Sequence, residues 1–267
     1  MLARTEETLP RVTESLRALL TSLIDYAGLF PPAALPMETA LQNFDAYRRG
    51  EHAWALGRFV VPASRLADVP SGFPVSVLVN DPKEMPEADT IEMKAASARE
   101  IERIAKAAGD RTVYVETMDL TLLDAIAHHG LRAKVRTGGV TAEAFPHPDV
   151  VARFITACMT RCLPFKATAG LHHPVRCVKP LTYEQDAPCG TMHGFVNVFM
   201  AAALVENASE MLLDPDPRSF AFDDHGASWR DRRVTTTELA TMRQYAISFG
   251  SCSFEEPIAD LQELRWL

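Results

Sequence analysis

Residues 112–136 read TVYVETMDLTLLDAIAHHGLRAKVR, and this stretch decides the fold. Two strand-like runs, Thr112–Glu116 and Arg132–Arg136, flank an amphipathic segment, which is the rhythm of a parallel strand pair joined by a crossover helix. Outward from it the pattern repeats. Ser22–Tyr26, Arg58–Val61, Val75–Val79, Thr90–Ala95, Pro164–Thr168 and Ser219–Phe222 are the further strand candidates, which brings the count to eight, the barrel number.

Helix signals fall between the strands. Ser97 with Glu100 makes a capping box ahead of Ile101 and Ile104, with Gly109 at the C-cap position. Pro148 opens a helix with Val151, Phe154, Ile155 and Cys158 on one face, and Thr235 with Glu238 caps another. Gly194–Val205 is apolar enough to be buried. Val12, Leu16, Leu19 and Leu20 mark an N-terminal helix that would cover the bottom of the barrel, and Phe254–Leu267 reads as a packing helix. Pro62–Pro74 and Asp81–Ala88 are too short and Pro-rich for full helices, so they read as degenerate crossovers. The expected fold is α/β: a (β/α)8 TIM barrel forming a single domain over residues 1–267, with an extra N-terminal helix and C-terminal helical additions. A doubly wound open sheet competes, but a Rossmann glycine fingerprint and a P-loop are both missing.

Side chains two apart on a strand share a face. That pairs Glu92 with Lys94, Tyr114 with Glu116, Lys134 with Arg136 and Lys166 with Thr168, near the C-terminal strand ends where barrel enzymes hold their sites. The opposite set, Ile91, Met93, Val113, Val115, Val135 and Phe165, is apolar and belongs under helices. The charged set, with Asp25 from the first strand, must therefore point into the barrel. Unpaired buried charges cost several kcal/mol each, so the cluster is either a paired plug or a site. Two neighbouring lysines suggest Schiff-base chemistry, because an amine beside other cations in a low-dielectric pocket loses its proton more easily.

Composition narrows the field. The 267 residues are 47% hydrophobic and 23% charged, a globular profile, and 27 Lys and Arg against 35 Asp and Glu give a net charge of −8. That sign argues against nucleic acid as a partner. The opening MLARTEETLPRVTESLRALL carries three Glu and no uninterrupted apolar run, and no ~20-residue apolar stretch follows, so neither a signal peptide nor a membrane span is expected. The expected location is the cytoplasm. The five cysteines lack C-x-x-C spacing and fit neither a disulfide framework nor a structural zinc site, and Cys158 and Cys162 read as core.

These residues resemble the deoxyribose-phosphate aldolase group of class I aldolases. LIDYAGLFPPAALPMETAL is similar to that family's I-D-H-T-x-L opening strand and the K-P-x-A-T-like segment after it, ADTIEMK to its A-D-E-V-D-M strand, and RTVYVETMDLT to its K-V-I-x-E-T-x-x-L-T strand. AKVRTGG resembles the V-K-T-S-T-G strand that supplies the imine-forming lysine, and FKATAGL the V-K-A-S-G-G-I strand that supplies the second. Lys134 and Lys166 stand 32 residues apart, close to the family's separation. Over residues 20–171 the resemblance implies that Lys134 forms the imine, Lys166 depresses its pKa, Glu92 shuttles protons and Asp25 orients water or substrate, with no cofactor.

The chain also departs from that family. SFAFDDHG, taken as the eighth strand, ends in Asp223 and Asp224, which would repel the phosphate the family binds there. Arg136 replaces a small residue and suits a carboxylate. A non-phosphorylated carbonyl substrate, such as an oxo acid, is the expectation, with Arg136, Lys94, Glu116, Thr168, His172, His173, His193 and Asn197 as candidate binding residues.

The alternative reading is a metal-dependent lyase, isomerase or hydrolase that draws ligands from His172, His173, His193, Asp223 and His225. A third is a barrel that binds a small anion without catalysis. Arg230, Asp231, Arg232 and Arg233 read as a solvated loop with Trp229 beside it as part of a lid. The apolar tail at Leu264, Trp266 and Leu267 leaves two packing partners open, the barrel and another subunit of a homo-oligomer.

Overall fold

The computed structural model describes residues 11–267; the signal-peptide reading rests in part on residues 1–10, which lie outside the described residues. Helix α1 (Glu14–Leu20) is capped by Thr13 and buries Leu16, Leu19 and Leu20. It leads into β1 (Ile24–Tyr26), α2 (Met37–Arg49), β2 (Leu56–Pro62), β3 (Val75–Leu78), β4 (Thr90–Lys94), α3 (Ala98–Ala108), β5 (Thr112–Glu116), α4 (Leu123–His128), β6 (Arg132–Arg136), α5 (Pro148–Thr160) and β7 (Phe165–Thr168). The connections after β2 and β3 are short 3-10 turns at Ala63–Asp68 and Pro82–Glu84, as their proline content predicts.

A long excursion follows β7. It contains a hairpin of β8 (Cys177–Pro180) and β9 (Cys189–Met192), then α6 (Phe195–Ala203) and α7 (Ala208–Leu213). A three-stranded antiparallel sheet comes next, made of β10 (Phe220–Asp223), β11 (Gly226–Trp229) and β12 (Arg232–Thr235). Helix α8 (Thr236–Met242), with the Thr235–Glu238 capping box in place, precedes β13 (Ala246–Ser251) and α9 (Glu255–Glu263).

Strands β1 to β7 and β13 close a ring in which every neighbouring pair is parallel. This is the (β/α)8 barrel and not the open doubly wound sheet. The predicted eighth strand is the error. Ser219–Phe222 falls largely in β10, at the edge of the small antiparallel sheet, and Ala246–Ser251 closes the barrel instead. The missed signal is turn chemistry: Asp223 Oδ1 accepts the backbone N–H groups of His225 and Gly226 and bends the chain into a two-residue hairpin, which no parallel strand can follow.

The outward face of the barrel strands is apolar as expected. Ile91, Val113, Val115, Val135 and Phe165 are fully buried, and the Phe165 ring lies edge-on to Phe154 of α5 at 5.9 Å. Helix α6 is buried on all sides, with Phe195 stacked on Phe249 of β13 at 5.1 Å. At the foot of the ring Arg243 donates to the carbonyls of Ala246, Ile247 and Thr21, and burial pulls its guanidinium down to about 10.

Helix α1 packs on α8 and the β10–β11 pair. The C-terminal tail packs on its own chain: Leu267 is buried and Trp266 meets Phe222 at 5.1 Å. Cys158 is core, whereas Cys162, just past α5, is exposed. Trp229 is no lid; it is buried in β11 and donates to Asp214 Oδ2 at 3.0 Å.

Candidate active site

Strand register brings Lys94, Glu116, Lys134, Lys166 and Ser248 level across β4, β5, β6, β7 and β13. Glu92 sits one inward position below Lys94 on β4, and Asp25 enters from β1. Inside the ring these side chains form an alternating chain of charge. Lys166 Nζ donates to Asp25 Oδ2 at 2.6 Å and to Glu92 Oε1 at 2.5 Å. Glu92 Oε2 lies 2.7 Å from Lys134 Nζ, which also lies 2.8 Å from Glu116 Oε2. Arg136 Nε then donates to Glu116 Oε1 at 3.1 Å, and Lys94 stands outside at 3.7 Å.

The two lysines are held differently. Lys166 is 1% exposed, makes two directional hydrogen bonds and lies over the Tyr114 ring at 5.5 Å. Lys134 touches its two carboxylates obliquely, and among the described residues the buried Glu116 Oε2 has no other donor. Nor does Lys166 face Lys134 as a bare cation, because Glu92 stands between them with one oxygen to each.

Electrostatics follow the geometry. Burial alone would raise the Glu92 carboxyl, but Lys134 and Lys166 overcome it and hold the group well below the usual carboxylate range. Burial would likewise lower the Lys166 ammonium, yet Asp25 and Glu92 push it above the usual lysine value. Glu116 is buried as well, and Lys134 and Arg136 keep it below its ordinary value.

This cluster floors a cavity of about 290 Å³ at the C-terminal strand ends. Glu92, Lys134 and Lys166 form the polar floor, Arg136, Thr168 and His172 the polar wall, and Phe30, Pro31, Pro32, Val60 and Leu78 the apolar side. The Arg136 side chain is about half exposed, and among the described residues Glu116 is its protein partner, through Nε.

Several predicted site residues lie elsewhere. Lys94 borders a neighbouring groove with Arg103 and Asp119, and Glu116 lines that groove as well. Asn197 is a framework residue: its Oδ1 accepts Arg176 N–H, and its Nδ2 donates to Met211 and Asp214 carbonyls. His193 bonds to the Pro146 carbonyl through Nε2, and burial lowers it to about 4.

Asp223 and His225 are in the β10–β11 turn, where Asp223 pairs with Arg233 and the adjacent Asp224 accepts from the backbone of Glu14 in α1. The five candidate metal ligands are therefore not brought together, and among the described residues no group of three or more His, Cys, Asp or Glu is placed to hold a metal. Arg230 and Arg233 are not free loop charges either, since they pair with Asp214 and Asp223.

His172 and His173 do stand at the barrel mouth. Each gives its Nδ1 to a carboxylate of α9: His172 to Glu256 Oε2 at 2.9 Å and His173 to Asp260 Oδ2 at 2.6 Å. Sequence reading missed both acids because it ended the barrel at Phe222 instead of Ser251. It also missed Ser76 and Ser248, whose hydroxyls donate to Glu92 Oε1 (2.6 Å) and Asp25 Oδ2 (2.8 Å). Ser76 was findable, as the inward position of a strand already assigned.

Fold and cavity together define the class: a closed parallel (β/α)8 barrel with a buried charged cluster at the end where barrel enzymes keep their chemistry. No family model matches the chain, and no curated protein matches it. A solved lysine/ornithine decarboxylase from Vibrio vulnificus, complexed with cadaverine, is similar with a TM-score of 0.38 at 14% identity, over 58% of this chain and 48% of that one. The chain thus spans about half the length of that protein. Among the described residues no helix is long and apolar enough to cross a membrane.

Proposed function

We propose that this protein is a class I aldolase-like lyase that forms a Schiff base with a small, non-phosphorylated carbonyl compound, a short oxo acid being the favoured substrate. The observation that carries the reading is the convergence of Lys134 and Lys166 on the two oxygens of Glu92 at the floor of one cavity. Their unequal bonding divides the roles. Lys166, fully committed to Asp25 and Glu92, is a fixed positive charge; Lys134, obliquely held, is the nucleophile. Its proton passes to Glu116 Oε2, the oxygen without another donor. Nζ then adds to the carbonyl carbon, the proton on Glu116 returns to the carbinolamine oxygen so that water leaves, and the cationic imine accepts the electron pair of the breaking carbon–carbon bond as an enamine while the departing fragment gives up its hydroxyl proton and leaves as a carbonyl.

Arg136 at the mouth suits the carboxylate of an oxo acid. The expected exclusion of phosphate rests on different residues from those the sequence suggested. Asp223 and Asp224 lie in the remote hairpin, but the true eighth strand leads straight into Glu255 and Glu256, and Glu256 bonds to cavity-lining His172. Domain organisation as a single unit and a cytoplasmic setting are consistent parts of the proposal.

The test is borohydride reduction in the presence of a panel of short aldehydes and 2-oxo acids, followed by peptide mass spectrometry. An adduct on Lys134, lost in Lys134→Met, is expected. Absence of any adduct across the panel sinks the reading, and a Lys134→Met variant more stable than the parent would then favour a structural charge plug.

A further inference from the structure

We propose that His172, oriented by Glu256, is the general acid–base group that moves protons to and from the substrate carbon above the Lys134 imine. This rests on the Schiff-base reading and deepens it. Glu92, the proton shuttle that family resemblance implies, is poorly placed for the task. Its Oε1 is taken by Lys166 and Ser76 and its Oε2 by Lys134, and the two ammonium groups hold it ionised.

His172 has what Glu92 lacks. It is 7% exposed, lines the cavity whose floor is Lys134, and hangs from the loop after β7 opposite the start of α9. Glu256 Oε2 receives both His172 Nδ1 at 2.9 Å and the Tyr183 hydroxyl at 3.2 Å, while the Glu256 backbone N–H is tied to Ser253 Oγ at 3.1 Å. Burial would raise this carboxyl, but His172 and its neighbours bring it below its ordinary value, so it is an anion. An ionised carboxylate only accepts, so Nδ1 carries a proton, and in the neutral imidazole the lone pair is on Nε2. Among the described residues Nε2 has no protein partner.

His173 serves as the contrast: its Nδ1 is spent on Asp260 and it is not part of the cavity wall. Glu256 is thus a positioning residue, and it also compensates the imidazolium that forms when Nε2 takes a proton.

The step balances without an added reagent. With a 2-oxo acid held as the iminium on Lys134, Nε2 removes a proton from the carbon next to the imine carbon. The C–H pair becomes the enamine double bond, and the C=N pair returns to nitrogen. Reversal delivers the proton, so solvent hydrogen exchanges into the substrate.

The experiment follows exchange at C3 of 2-oxobutanoate in D2O by proton NMR, with borohydride trapping run in parallel on the same protein. In His172→Asn and His172→Gln the Lys134 adduct should persist while exchange falls about 100-fold or more, the share general acid–base catalysis typically supplies. Glu256→Gln, which keeps the imidazole, should lower the exchange rate at saturating 2-oxobutanoate about tenfold and leave the half-saturating concentration unchanged. Adduct with undiminished exchange in both His172 variants overturns the proposal. Loss of adduct in both, with the fold intact by circular dichroism, also overturns it and makes His172 a binding residue. Wild-type protein that gives neither adduct nor exchange overturns the Schiff-base reading itself.

Discussion

Replacing Lys166 by Met removes a buried charge held between two carboxylates. The substitution deletes hydrogen bonds of 2.6 and 2.5 Å and leaves two carboxylates inside the barrel. Asp25 keeps Arg58 N–H at 2.7 Å and Ser248 at 2.8 Å, and Glu92 keeps Ser76 at 2.6 Å and Lys134 at 2.7 Å, so neither is stripped of partners. The excess negative charge is still uncompensated, and breaking a buried pair by removing one member costs about 3–5 kcal/mol. In thermal terms, at about 2–4 °C per kcal/mol for a domain of this size, the melting temperature should fall by about 6–20 °C.

The pH dependence identifies the cause. The folded Glu92 carboxyl lies below its ordinary value of 4.5, so its contribution is present above that pH and is lost as pH falls through the folded value. Lys166 is raised above its ordinary 10.5, so its share is present below that pH and is lost as pH rises through the folded value. In Lys166→Met the Glu92 carboxylate, with one of its two lysines gone, protonates more readily. Urea denaturation should therefore show the full deficit at pH 7 and a smaller one below pH 4.5. A deficit under about 1 kcal/mol at pH 7, no more than an exposed ion pair is worth, refutes the reasoning, as does a gap that widens with acid.

Further outcomes follow from the same contacts. Arg136→Leu should raise the half-saturating concentration of a 2-oxo acid about tenfold or more, the worth of a charge-assisted hydrogen bond, while leaving an uncharged aldehyde unaffected in the trapping assay. A Cβ on Gly57 would collide with Asp25 Oδ1, so Gly57→Ala should cost about 1–3 kcal/mol in urea denaturation and lower the trapping yield by displacing that carboxylate. Asn197→Ala strips partners from Arg176 N–H and from two carbonyls on the α7 side, and should cost about 3 kcal/mol by the same denaturation measurement.

Much of the barrel was legible because its signals are local. The Thr112–Glu116 and Arg132–Arg136 strands have the boundaries read from sequence, and Ser97 and Thr235 cap true helix starts, with the full capping box formed at Thr235 while Glu100 turns to the Ala96 backbone instead of that of Ser97. The eighth strand was illegible because AISFGS follows a capped helix without a strong turn signal, whereas SFAF looks like a strand and is one, in the wrong sheet. That single misplacement moved the expected mouth residues to Asp223 and His225 and hid Glu256 and Asp260. Asn197 was misread for another reason: a polar residue inside an apolar helix can face a ligand or bond to backbone, and only the fold shows Met211 and Asp214 waiting for it.

By itself the sequence determined that Asp25, Glu92, Glu116, Lys134 and Lys166 must share the inside of a parallel barrel, because strand side chains alternate and the opposite faces are too apolar to meet water. Tertiary structure decided how those charges pair, since the sharing of Glu92 between two lysines depends on the register of strands far apart in the chain. It also decided which segment closed the ring. Strand pairing is a competition between distant segments, and a carboxylate that bends Asp223–Gly226 into a hairpin settled that competition in favour of Ala246–Ser251 and the acids that follow it.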